Sequence, residues 1–140
     1  MSREIKFRGK RVKMDDPLER WIEGSCVEYT NIRDEKVVRI MSKSGYQNEV
    51  YPETVGQFTG LYDKNGKEIY EGDILRSVKF HDIVGYIMYD KKEGAFMFIK
   101  IDELMKTELE TRCHITERRL NEFPKEVIGN IYDNKKLLEE

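Results

Sequence analysis

The sequence predicts a mainly-β fold of the small barrel or sandwich type. Short runs rich in Val, Ile, Tyr and Phe recur at spacings of about 8–12 residues, separated by turn residues. Asn65-Gly66 stands between two apolar ends, the pairing that a tight hairpin turn demands. The chain of 140 residues holds eight Tyr, six Phe and one Trp. Those rings can build a core and argue against disorder, although 37% of the residues are charged.

The opening Arg3–Arg8 alternates, with Ile5 and Phe7 on one side and Glu4, Lys6 and Arg8 on the other, the period of a half-buried strand. Asp15-Asp16-Pro17 reads as a turn. A strand follows over Trp21–Tyr29, and Gly24 in its interior marks a bulge or a close backbone approach. Residues 30–35 form a polar turn, and Lys36–Met41 is the returning strand. Ser42–Asn48 reads as a loop. After the Asn65-Gly66 hairpin, Gly72-Asp73 punctuates the chain, with the Asp side chain accepting backbone N–H bonds. Ile74–Phe80, Ile83–Tyr89 and Ala95–Ile101 then form an antiparallel meander, broken at His81-Asp82 and at Asp90–Gly94. Asp102 can cap a helix over Leu104, Met105 and Leu109; beyond Thr111 a charged loop is an equal reading, and Pro124 ends it. Glu126–Tyr132 is a closing strand, after which Asp133-Asn134 can cap a last helical turn through Leu137 and Leu138. The expected core includes Trp21, Ile74, Tyr86, Phe96, Val127 and Ile131.

Composition excludes several classes of function. Lys+Arg minus Asp+Glu is 25 − 27 = −2, which excludes a strongly basic nucleic-acid binder and an acidic tail protein. No apolar run approaches the roughly 20 residues that a membrane-spanning helix needs. The opening MSREIKFRGKRVK is charged and has no apolar h-region, so no signal peptide is expected. Cys26 and Cys113, far apart in sequence, are expected as reduced thiols in a cytosolic setting.

Three stretches carry a resemblance. Thr59–Ile74 (TGLYDKNGKEIYEGDI) resembles the "TGL-D-NG-EIYEGDI" motif of the YopX family of bacteriophage and prophage proteins. Glu126–Asn134 (EVIGNIYDN) is similar to that family's closing "EVIGNIYENPELL", and Arg3–Gly9 to its opening "REIKFRA/G". The matches come in order along nearly the whole chain; Lys135 departs where the family often has Pro. The resemblance implies an SH3-like small β-barrel in the C-terminal part and a phage or prophage origin. It implies no established activity, and no catalytic or binding residues.

The basic opening is the candidate functional feature. Residues 1–13 hold six Lys/Arg (Arg3, Lys6, Arg8, Lys10, Arg11, Lys13) against one Glu. Lys6, Arg8 and Lys10 share one face of the strand and, with Arg11, are the candidate nucleic-acid contacts. The competing reading is a solvated edge strand, where Lys guards against aggregation. A continuous exposed basic face favours nucleic acid; neutralisation by the Glu-rich 102–126 segment opposes it. Tyr86, Tyr89, Phe96 and Phe98 on the meander can stack bases or hold a peptide, or simply fill the core. Asp63–Gly66 fails the calcium-loop spacing, since Gly falls fourth and Tyr70 eighth from Asp63. Cys113-His114 lacks a partner pair at zinc spacing. No phosphate loop, G-x-S-x-G elbow or HExxH occurs.

The expectation is thus an N-terminal β-rich part, 1–48, and an SH3-like barrel part, 49–140, forming one compact unit with one or two short C-terminal helices. The soft boundary lies near Ser42–Pro52. The expected function is a phage-encoded, non-enzymatic binding or adaptor protein in the cytoplasm of the bacterial host. Its partner is an unspecified host or phage macromolecule; it needs no cofactor or metal, and a homo-oligomer is compatible. The alternative is a nucleic-acid-associated accessory factor in phage replication or recombination.

Overall fold

The computed structural model describes residues 4–12, 20–80, 83–101 and 112–138. The protein is mainly β. Its described strands form two antiparallel sheets, ordered β4 (Gln47–Glu49), β3 (Lys36–Met41), β2 (Trp21–Thr30), β1 (Phe7–Lys10), β5 (Gly56–Tyr62), β6 (Glu68–Tyr70) and β10 (Arg112–His114), β9 (Ala95–Ile101), β8 (Val84–Asp90), β7 (Asp73–Ser77), β11 (Lys125–Asn130). Among the described residues neither order closes on itself, so both sheets are open. The chain divides into two compact units, Met1–Phe58 and Thr59–Glu140. The division falls inside strand β5, later than the loop at 42–52.

Unit 1 is built on β1 (Phe7–Lys10), β2 (Trp21–Thr30), β3 (Lys36–Met41), β4 (Gln47–Glu49) and the start of β5 (Gly56–Tyr62). Strand alternation sorts its two faces. Ile22, Val38, Ile40 and Val50 are buried, with Phe7, Cys26 and Val55 packed against them. Gly9 joins this core face because a Cβ there would lie 2.9 Å from the Val50 side chain. Gly24 is the close approach its position predicts: a Cβ would lie 1.9 Å from the Met41 carbonyl oxygen. The polar Gln47–Glu49, with Gln47 and Asn48 expected as loop, is instead a strand, held in register against Arg39–Met41. Pairing with β3 overrides its weak β propensity.

Unit 2 holds the rest of β5, then β6 (Glu68–Tyr70), β7 (Asp73–Ser77), β8 (Val84–Asp90), β9 (Ala95–Ile101), β10 (Arg112–His114), α1 (Glu117–Glu122) and β11 (Lys125–Asn130). The three meander strands pair in the expected order, but the first ends at Ser77, three residues short of the expected Phe80. β11 returns to pair with β7, with a register shift between Val127 and Gly129. The core holds Ile69, Leu75, Ile87, Phe98 and Ile115. Helix α1 starts at Thr116, whose side chain accepts the Arg119 N–H, and a 3-10 turn covers Lys135–Leu138.

The core list needs correction. Ile74 is fully buried, but Trp21, Tyr86, Phe96, Val127 and Ile131 are only half-buried. In β8 the buried positions are Gly85 and Ile87, so Tyr86 points to the opposite face. Gly85 lets Phe98 and the Ile99 carbonyl close in, at 2.6 and 2.4 Å from where a Cβ would stand. Alternation along β8 from the buried Ile87 puts Gly85 inward and Tyr86 outward, against the expectation for Tyr86. The Asp15-Asp16-Pro17 turn, the His81-Asp82 break and the Asp102-capped helix lie outside the described residues.

Candidate interaction surface

The motif stretch Thr59–Ile74 has first claim on a function, and its polar groups are engaged by backbone. Asp63 accepts three N–H bonds: Asn65 and Lys67 on Oδ1, both 2.8 Å, and Val127 on Oδ2, 2.9 Å. One carboxylate thereby shapes the hairpin turn and ties it to β11. Asp73, 1% exposed, accepts the Tyr70 N–H at 2.8 Å, the role expected of it. Thr59 donates its hydroxyl to the Ile69 carbonyl at 2.7 Å and accepts the Leu61 N–H. In the turn itself only Gly66 takes a positive φ, 82°. Asn65 does not, so the connection is a five-residue loop, 63–67, closed by the Asp63 N–H to Lys67 carbonyl bond. The motif is the framework of unit 2.

The basic opening strand is not at an edge: β1 lies between β2 and β5. The edge-guard reading therefore fails, because period-two patterning reports faces and is silent on which neighbours a strand acquires. Lys6 is drawn inward, with its side chain 13% exposed and its ammonium 3.6 Å from Glu4 and 3.9 Å from Glu23. It also sits 5.1 Å from the centre of the Phe58 ring. Arg8 lies over Trp21 at 4.9 Å. Lys10 is half-buried, and its N–H donates to Thr54 Oγ1. Arg11 forms an isolated bridge with Val50. The strand brings Lys6, Arg8 and Lys10 onto one face as expected, and the carboxylates of Glu4 and Glu23 stand against Lys6.

The same face continues along β2 and β3 and carries what sequence reasoning passed over. Ile22 and Cys26 go to the core, so Trp21, Glu23, Ser25, Val27 and Tyr29 point away from it. Val27 is 58% exposed, Tyr29 43% and Met41 44%. Arg39 stands opposite Val27 and Val37 opposite Tyr29. At the hairpin tip Ile32 is fully exposed. Hydrogen bonds shape the tip: Asn31 Oδ1 accepts the N–H groups of Arg33 and Glu35, and Asp34 takes a φ of 61°. The signal was present in the parity of Val27 and Tyr29, which is opposite to that of Ile22 and Cys26. Beside this stripe a groove of about 620 Å³ opens between Glu4–Lys6 and Ser42–Ser44, over Gly24 and Ser25. Its charges come in both signs, Lys6 and Lys43 against Glu4 and Glu23, with Lys43 3.6 Å from Glu4.

Three titrating groups are displaced. Burial, then the Glu28 charge, raises the Cys26 thiol above its ordinary value. The N–H groups of Glu93 and then Lys92 hold the Asp90 carboxyl low. Burial pushes Lys125 down; its ammonium sits 4.9 Å over the Phe98 ring. Asp90 is also ion-paired with Arg112 at 2.8 Å. Both cysteines are free, and the Cys113 thiol lies 3.9 Å from the Phe98 carbonyl. Among the described residues no three His, Cys, Asp or Glu side chains converge as metal ligands. Nor is any helix among them long and apolar enough to cross a membrane.

Comparison with known families agrees with the motif reading. The family model described as YopX protein matches residues 6–139, nearly the whole chain. No curated protein matches it.

Proposed function

Because the chain belongs to the YopX family, we propose that it is a phage-encoded, non-enzymatic adaptor that binds a protein partner in the cytoplasm of its bacterial host. The observation that carries this reading is the exposed apolar stripe of unit 1, with Val27, Tyr29 and Met41 on one sheet face and Ile32 at the tip. Several large apolar side chains held together on a rigid surface mark a protein-docking face. The engagement of Lys6 by Glu4 and Glu23 supports a protein partner over nucleic acid, because a phosphate would have to displace those carboxylates. We read unit 2 as SH3-like. Support comes from its strand order, in which β11 returns beside β7, the first strand of the meander, with a short helix before that return.

The test is affinity capture of the tagged protein from infected cells, with and without nuclease treatment. A protein partner that survives nuclease and is lost in the Val27→Asp/Tyr29→Ser variant supports the reading. Retention of nucleic acid with sub-micromolar affinity, collapsing when Lys6, Arg8 and Lys10 are changed to Gln, overturns it in favour of the accessory-factor alternative.

A further inference from the structure

The β2–β3 hairpin has one edge without a partner strand among the described residues. Pairing of β1 with β2 covers Trp21–Gly24, ending at Phe7↔Gly24. Strand β2 runs six residues further, to Thr30, paired with β3 on its other side. The direction of its free groups follows from the hairpin. The Asn31 N–H donates to the Glu35 carbonyl, so 31/35, 29/37 and 27/39 are the hydrogen-bonded pairs. Consistently, the Val38 carbonyl points away from β2 and accepts the Val50 N–H. The N–H and C=O groups of Cys26, Glu28 and Thr30 therefore point outward from the hairpin.

We propose that this edge, Cys26–Thr30, accepts an extended segment of a partner protein as an added strand. The segment carries a Lys or Arg beside Glu28 and apolar side chains beside Val27 and Tyr29. The proposal rests on the adaptor reading and names the class of partner. Alternating N–H and C=O groups along a strand edge are complementary to one ligand chemistry, another extended polypeptide backbone. Proteins ordinarily guard such edges with Lys, Pro or an inward charge; β2 contains no Lys and no Pro, and its one charge in this stretch, Glu28, guards against an acidic segment while favouring a basic one. Side chains then set the sequence preference. Val27 and Tyr29, both exposed, flank the edge on one face. Glu28 projects from the other, its side chain 59% exposed. Lys36 approaches Glu28 at 2.8 Å, but a carboxylate offers about four acceptor positions, so a second cation can be taken. The same charge rejects a second copy of this chain: full antiparallel overlap of Cys26–Thr30 with itself sets Glu28 against Glu28, and like charges directly opposite are unfavourable.

The experiment titrates the isotopically labelled full chain with the synthetic peptide acetyl-TVTVKVTVT-amide and with its Glu-centred counterpart, followed by amide NMR and hydrogen exchange. The Lys peptide is expected to shift the amides of Cys26–Thr30 and to slow exchange at Glu28 and Thr30. It should bind about fivefold more tightly than the Glu peptide, the scale of one cross-strand charge pair reversed. Glu28→Lys, an exposed change that leaves the core alone, should invert that preference. Shifts confined to other residues overturn the edge while leaving the adaptor reading intact. Absence of binding, or a preference that Glu28→Lys does not move, overturns it equally. Protection of Glu28 and Thr30 before any peptide is added, in a chain that sediments as a dimer, overturns the choice of occupant in favour of a second copy.

Discussion

The motif stretch of unit 2 turns its buried polar side chains onto its own backbone, whereas the β2–β3 hairpin of unit 1 leaves apolar side chains on its surface. In unit 2 the buried Thr59, Asp63 and Asp73 satisfy main-chain groups of the β5–β6 hairpin and its connections. In unit 1 Val27, Tyr29 and Met41 stay exposed on one sheet face and Ile32 at the hairpin tip. The contrast separates two reasons for a memorable sequence. A stretch such as TGLYDKNGKEIYEGD is distinctive because many turn and carboxylate geometries must hold at once. A docking stripe needs only the right parity on a strand and leaves little mark.

The contrast is sharpest where a single atom is added or removed. Gly85→Ala should have the largest effect, a loss of about 3 kcal/mol or more, because the new methyl meets the Ile99 carbonyl and the Phe98 ring. Urea unfolding followed by far-UV circular dichroism measures it; a midpoint within error of wild type would show that the β8–β9 register is wrong. Asp63→Ala comes next, at about 2–4 kcal/mol, since three N–H groups lose their acceptor and stay part-buried. If that variant unfolds like wild type, the motif is not scaffolding and deserves a functional role after all.

Gly66→Val should cost about 1 kcal/mol through its φ of 82°, with no clash, because nothing lies within 4 Å of the site. Val27→Thr and Tyr29→Ser should change stability by no more than about 0.5 kcal/mol. Their effect belongs in partner capture, and a large loss of stability would move both residues from docking surface to core.

The smallest expected effect is on pH. Burial depresses the Lys125 pKa below its ordinary 10.5, so below that value the unfolded chain binds more protons than the folded one. Its contribution to stability therefore rises with pH through the window between the depressed value and 10.5. Lys125→Met should flatten the alkaline limb of the stability profile; an unchanged slope would assign that limb elsewhere.

The candidate surface was legible in part. Opposite parity of Ile22 and Val27 shows at once that one goes in and the other out, and the hairpin is readable from its polar turn, with the return at Lys36 as expected and the first strand one residue longer than expected, to Thr30. What the pattern does not carry is the neighbour of each strand. Lys6 and Arg8 read equally well on an edge or in the middle of a sheet, and only the placement of β5 beside β1 brings Phe58 under Lys6.

The sequence by itself determined the strands of the meander, the Gly66 turn, the backbone duty of Asp73 and the close approach at Gly24, because each follows from contacts a few residues long or from steric rules at one residue. Only the tertiary structure decided that Gln47–Glu49 is a strand, that Gly85 and not Tyr86 faces the core, and that β2 outruns β1, so that the outer edge of Cys26–Thr30 has no partner strand among the described residues. Those outcomes depend on register between segments distant in the chain, and register is set by the packing of whole faces, which no local run of residues encodes.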